Sequence, residues 1–148
     1  MRYRAFPLIL GALILFVAES RADESVSRSV TITGMDGALL GSIQVFVAPP
    51  PDHGDPTWGS NFSTPTIFMP HLQGLPPGMA TVTLMDAPSC QSLDSKALNH
   101  GELKVGQSGW AEDAFIMPGL MPDHVGGHSL VVSVGEGSPP LACGSIDP

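Results

Sequence analysis

Apolar and polar residues alternate with a period of two along several short segments of the chain. The clearest case is the segment 79–86, whose two faces carry Ala80, Val82 and Leu84 on one side and Thr81, Thr83 and Met85 on the other. Successive side chains of a β-strand point to opposite faces, so this pattern predicts a strand with one face in a core. Because no segment keeps an apolar period of 3.6 residues, we expect little helix.

Further strands are predicted on both sides of this segment. Residues 26–33 and 42–48 are rich in β-branched or alternating apolar side chains and flank a turn at 35–37, which indicates an N-terminal hairpin. Residues 49–61 form a Pro-rich loop by composition, and Pro70 suggests an edge position or a bulge. The remaining extended segments are expected at 66–72, 112–117, 129–134 and 141–146. This spacing favours an all-β fold, an antiparallel Greek-key β-sandwich or flattened barrel of about eight strands.

The first 22 residues have the three parts of a secretory signal. Two arginines precede an apolar run at 8–18, and residues 20–22 form a small-x-small cleavage site. The run is shorter than the roughly 20 residues that span a bilayer, so a retained membrane anchor is not expected. We therefore predict a signal peptide at 1–22 and a periplasmic or secreted domain at 23–148.

The net negative charge of the chain argues against two classes of partner. Residues 23–148 contain three strong cations and 13 carboxylates, a net charge of −10 with neutral histidines. Such a surface is repelled by nucleic acid and by anionic lipid, so neither is an expected partner. A high negative charge also keeps an exported protein soluble, and this is the simpler explanation for it.

The chain has two cysteines, Cys90 and Cys143. An even number of cysteines in an exported chain predicts a disulfide, and a bridge of this span contributes on the order of 4 kcal/mol through the unfolded state. A free reactive thiol or a metal–thiolate pair is the alternative interpretation.

The residues around both cysteines resemble the copper/zinc superoxide dismutase family. LPPGMATVTLMDAPSC, residues 75–90, aligns without a gap with LPPGEHGFHIHEKGSC of many bacterial members, and residues 142–146 (ACGSI) are similar to the family's terminal ACGVI. With the N-terminal hairpin, the resemblance covers essentially the whole of 23–148. It implies the Greek-key β-barrel of that family and a Cys90–Cys143 disulfide.

The same alignment implies that the family's active site has been lost. Thr83 and Met85 stand where the family carries two copper histidines, Ser133 stands at a third, and Pro140 stands at the arginine that guides superoxide. The loop after the first cysteine is too short to carry the family's bridging histidine. Dismutation alternately reduces and oxidises copper, which imidazole nitrogens hold in both oxidation states. We therefore assign no catalytic residue.

A remnant of a zinc site is one remaining metal candidate. Residues 99–103 (NHGEL) are similar to the family's HxGDL pattern with one residue displaced, and His100 and Glu102 are potential nitrogen and oxygen ligands. Two ligands do not complete the four-coordinate site that zinc takes, so we expect a hydrogen-bonded loop here.

A second metal candidate is a group of soft side chains that suits Cu(I). Its members lie in a Pro- and Gly-rich segment and are Met117, Met121, His124 and His128. Methionine also fills gaps under loops and histidine is common at surfaces, and this interpretation needs no metal.

These observations lead to one main expectation and two alternatives. The main one is an exported, non-catalytic superoxide dismutase-like domain with a structural or binding role, without a cofactor, whose partner is an unknown protein or a second copy of the chain. The first alternative is a periplasmic copper-binding protein with methionine and histidine ligands. The second is residual superoxide dismutase activity with replacement metal ligands.

Overall fold

Alternating burial organises the chain into antiparallel strands. The computed structural model describes residues 27–47, 66–92, 94–135 and 137–148. The predicted signal peptide at 1–22 and the Pro-rich loop at 49–61 lie outside the described residues. The described strands are β1 (Arg28–Gly34), β2 (Leu39–Val47), β3 (Thr66–Gln73), β4 (Gly78–Met85), β5 (Ala97–Val105), β6 (Trp110–Ala111), β7 (Phe115–Ile116), β8 (Ser129–Ser133) and β9 (Pro140–Ser145).

The strands form one sheet that curls into a nearly closed barrel. Their order is β5-β4-β8-β9-β1-β2-β3-β6, every pairing is antiparallel, and β7 also pairs with β3. The hairpin of β8 and β9 is inserted between β4 and β1, so the connections follow a Greek key. The barrel nearly closes at the seam between β5 and β7. There, a Cβ placed on Gly101 of β5 would lie only 2.6 Å from the Phe115 ring of β7. The predicted antiparallel Greek-key barrel is therefore confirmed.

The inward side chains fill the barrel. On β4 the inward residues are those that the alternation predicts, and all three are buried. Phe68 and Phe115 are opposite each other on the paired strands β3 and β7, and their rings stack on the inner face with centroids 5.1 Å apart. The largest fully buried side chains include Ile32, Ile43, Phe68, Leu72, Leu84, Leu103, Met117, Leu130 and Ile146.

Two segments differ from the sequence-based expectations. The stretch 97–105, expected as a polar segment and loop, is the nine-residue strand β5. Its inward positions include Gly101 as well as Leu103, and a glycine hides the apolar period of two. In the predicted strand 112–117, only Phe115–Ile116 pairs with β3.

Pro70 lies where β3 has a partner on one side only. It pairs with Ile43 of β2 without a register shift. On the other side β3 pairs with β6 and β7 only near its two ends, which leaves Pro70 opposite none of the described strands. A missing N–H is tolerated at such an edge.

Helix is almost absent from the described residues, as expected. They contain one short 3₁₀ turn, Pro122–His124. Among them, no helix has the length and apolar character needed to cross a bilayer. A disulfide joins Cys90, in the segment that follows β4, to Cys143 of β9, with the two Cα atoms 5.8 Å apart.

Candidate functional site

The candidate site is the outer face of β4 and of the two strands that flank it. Because Val82 and Leu84 point into the barrel, Thr83 and Met85 point outward, and both are half-buried. Thr83 pairs with Val131 of β8 on one side and with His100 of β5 on the other. The outer face therefore combines side chains from three neighbouring strands.

The three positions that resemble the family's copper ligands share this face but do not converge. Ser133 pairs with Thr81, which places it one diagonal step from Thr83, whereas Met85 pairs with Ser129. Met85 and Ser133 are thus four residues apart in the register, about 13 Å along the strands. A serine hydroxyl extends little beyond its own Cα and cannot cover that distance. The Ser133 hydroxyl instead donates a hydrogen bond to the Gly135 carbonyl oxygen, at 3.1 Å.

Pro140 lies beside this face at the start of β9. It pairs with Ser133 across the β8–β9 hairpin. Its ring carries no charge, and it lines an apolar groove together with Met35 and Leu141 at the end of the barrel. The position similar to the guiding arginine therefore offers no cation to an anion.

His100 and Glu102 lie in β5 and not in a loop, which corrects the sequence-based expectation. Both are exposed on the outer face, where His100 is opposite Thr83 and Glu102 is opposite Thr81. They border an open cleft of about 520 Å³, which Ile116 also lines. Two donors alone leave a zinc ion two ligands short of its usual four.

Asn99 has a structural role next to this pair. Its side-chain nitrogen donates to the Pro118 carbonyl oxygen at 2.8 Å, and its side-chain oxygen accepts from the His100 N–H at 2.8 Å. The first of these hydrogen bonds attaches β5 to the segment after β7, and the second fixes the orientation of the Asn99 side chain within β5. The alternation of apolar and polar residues in the second half of β5 is the sequence signal that could have identified this strand.

The soft side chains are placed in different environments. Met117 is 2% exposed and belongs to the core, whereas Met121 is 44% exposed. His124 is exposed, and its backbone N–H donates to the Met121 carbonyl oxygen at 3.0 Å, so these two residues lie in one turn. His128 is half-buried, with Nδ1 3.9 Å from Oδ1 of Asp86. The four residues therefore occupy three different environments: the core, an exposed turn and a half-buried position beside Asp86.

Two buried polar atoms lie at the start of β8, one on His128, which the sequence analysis named, and one on Ser129, which it did not. Among the described side chains, Nδ1 of His128 and Oγ of Ser129 are buried without a hydrogen-bond partner. Both residues precede or begin the strand that carries Ser133. Across the residues that the structure describes, no group of three or more histidine, cysteine, aspartate or glutamate side chains is arranged to hold a metal ion.

Comparisons with known proteins agree with this architecture. No family model matches the chain, and neither does any curated protein. Among solved structures the chain is similar to the Cu/Zn superoxide dismutase from Brucella abortus, with 17% sequence identity and a TM-score of 0.56 over 82% of this chain and 99% of that one. A likeness at this identity concerns the fold alone. The chain has a Cu/Zn superoxide dismutase-like fold.

Proposed function

We propose that this protein is an exported, non-catalytic superoxide dismutase-like domain with a structural or binding role. The observation that carries the proposal is the outer face of β4 and β8. At the three positions similar to the family's copper ligands it presents Thr83, Met85 and Ser133, and their register keeps the outermost two about 13 Å apart.

The chemistry of these side chains argues against dismutation. A copper ion that cycles between two oxidation states needs ligands that bind both, and neutral hydroxyl groups are poor ligands for either. Of the three residues only Met85 offers a soft donor. The chain also has a net charge of −8 and a proline at position 140, so its electrostatic field repels superoxide.

Export is supported by the disulfide together with the N-terminal pattern. Disulfides persist in oxidising compartments and are rare in the cytosol, and Cys90 and Cys143 are joined. The mature N-terminus tests this part of the proposal. We expect mass spectrometry of the protein from a periplasmic or culture-medium fraction to find cleavage after Ala22, and an intact chain confined to the cytosol would contradict it.

Metal loading separates the non-catalytic role from the enzymatic one. Purified protein is incubated with copper and zinc under oxidising and then under reducing conditions, dialysed, and analysed for bound metal and for superoxide turnover. We expect less than one metal ion per chain and turnover no higher than that of the residual free copper. Turnover above that level would overturn the proposal.

Copper binding by methionine and histidine is a second candidate. It is favoured by Met121 and His124, which are both exposed and lie in the same turn. Competition with a chromophoric Cu(I) chelator would measure it, and this role predicts that Met121→Leu combined with His124→Gln abolishes stoichiometric Cu(I) binding. His71→Gln, at an exposed histidine of β3, is the matched control and should leave Cu(I) binding unchanged.

A further inference from the structure

The end of the barrel that carries the β1–β2 hairpin contains an apolar groove. We call this the hairpin end; the registers of the antiparallel strands place the β3–β4, β5–β6 and β8–β9 turns there as well. The groove has a volume of about 350 Å³. Its apolar lining consists of Met35, Leu40, Leu75, Pro76, Pro140 and Leu141.

Backbone hydrogen bonds fix the hairpin that borders the groove. The Gly34 N–H donates to the Ala38 carbonyl oxygen at 2.7 Å, and the Met35 N–H donates to the Leu141 carbonyl oxygen at 3.0 Å. Asp36 is the one charged residue in the lining, and its Oδ1 accepts from the Ala38 N–H at 3.0 Å. The groove is therefore preformed, and its carboxylate already has a hydrogen-bond partner.

Large apolar side chains are concentrated around this groove. Leu39 directly precedes the lining residue Leu40 and is 72% exposed, more than any other large apolar side chain among the described residues. Five of the eight exposed large apolar side chains of the described residues lie at strand ends or turns of the hairpin end: Met35, Leu39, Met79, Trp110 and Val134. Together they offer several hundred Å², of the order of the roughly 800 Å² per partner that a standard interface buries.

The distribution of charge indicates which partner fits. The carboxylates at the opposite end of the barrel are Asp86, Asp94, Asp123 and Asp147, accompanied by Arg28 and Lys96. Two copies of this acidic chain that meet through their hairpin ends keep these carboxylate clusters far apart. Contact through the opposite ends would bring them together and cost electrostatic energy.

We propose that the hairpin end is a self-association surface, in which the groove of each copy receives Leu39 of the other copy. A protruding leucine beside an apolar groove is self-complementary, which a two-fold symmetric dimer requires. Burial of apolar surface favours the association, and electrostatic repulsion between the two acidic copies opposes it. The proposed dimer is independent of whether the protein has catalytic activity.

Sedimentation velocity of the full chain after residue 22, at concentrations up to about 200 µM, tests the proposal. We expect a reversible dimer that tightens when the salt concentration rises to about 0.5 M, because salt screens the repulsion between two acidic copies. Leu39→Ser should weaken dimerisation by about tenfold or more, since it removes a buried apolar side chain. Leu98→Ser, which removes a 42% exposed leucine at the opposite end, is the matched control and should leave the dimer unchanged.

Three results would overturn this assignment. The first is a monomer over the whole concentration and salt range. The second is a dimer that Leu39→Ser does not weaken although circular dichroism shows the variant folded. The third is a dimer that Leu98→Ser weakens as much as Leu39→Ser, which would place the interface elsewhere.

Discussion

Thr83 of β4 lies directly opposite His100 of β5, with both side chains on the outer face of the barrel. The histidine nearest to the family's first copper position is thus supplied by a neighbouring strand. Its cross-strand partner is a hydroxyl group, and the next outward residue of β4 is Met85. This face therefore presents a hydroxyl and a thioether beside the histidine, at two positions similar to the family's copper ligands.

Restoring three imidazoles should restore copper binding. In the variant Thr83→His, Met85→His, Ser133→His, imidazoles replace two hydroxyl groups and a thioether at outward positions of two paired strands. We expect this variant to bind about one Cu(II) per chain, with an electron paramagnetic resonance spectrum typical of nitrogen ligands.

The control for this variant adds imidazoles without bringing them together. Thr31→His combined with Lys104→His uses exposed positions on β1 and β5, which do not pair with each other. It should show no site-specific copper signal. Equal binding by both variants would mean that the outer face of β4 and β8 has no special geometry for a metal.

Removing the disulfide should destabilise the barrel. The bridge between Cys90 and Cys143 ties the segment after β4 to β9, and a bridge of this span typically contributes about 2–4 kcal/mol. We expect Cys90→Ser combined with Cys143→Ser to lose that much free energy of unfolding in urea titrations. Ser145→Ala, at an exposed neighbour of the bridge, should change it little.

A reducing agent provides the complementary measurement. Dithiothreitol should destabilise the wild type by the same amount and leave the double variant unaffected. A wild type whose unfolding midpoint ignores dithiothreitol, with the bridge shown by mass spectrometry to be reduced, would contradict a stabilising role for the disulfide.

Part of this fold could be predicted from local pattern, because the inward residues of β4 are alanine, valine and leucine, and threonines separate them on the outward side. In β5 the inward positions begin with Asn99 and Gly101, so the alternation is visible only from Leu103 onward. The glycine is there because the Phe115 ring occupies the space of a side chain. That requirement comes from a strand elsewhere in the chain, which local pattern does not reveal.

In the candidate site, too, some features could be predicted from local sequence pattern and others depend on contacts between strands. The motif that ends at Cys90 identified Thr83 and Met85, the C-terminal part of the resemblance identified Ser133, and the alternation of β4 placed the first two on its outer face. Their neighbours depend on register, and so the opposition of Thr83 and His100 could not be predicted. Spacing alone also did not distinguish Met117, in the core, from the exposed Met121.

Asn99 should contribute to stability through its hydrogen bond to Pro118. Asn99→Asp keeps the oxygen that accepts from the His100 N–H but loses the donor and places a carboxylate against the Pro118 carbonyl oxygen. We expect a loss of about 1–3 kcal/mol in the free energy of unfolding and faster hydrogen exchange in the segment after β7. Glu102→Gln, at an exposed site on the same strand, is the control and should be neutral. Unchanged exchange in Asn99→Asp would show that this bond does not hold the segment.

Gly101 should be required for closure of the barrel. A Cβ at this position would lie 2.6 Å from the Phe115 ring and 3.1 Å from the Ile116 carbonyl oxygen, so Gly101→Ala must push β5 away from β7. Overpacking of this kind typically costs about 1–3 kcal/mol, and we expect that loss in chemical denaturation. Gly106→Ala is the matched control, because its Cβ would meet no atom closer than 3.5 Å. If both alanine variants were equally stable, β5 and β7 would not be in close contact, and the barrel would be open at this seam.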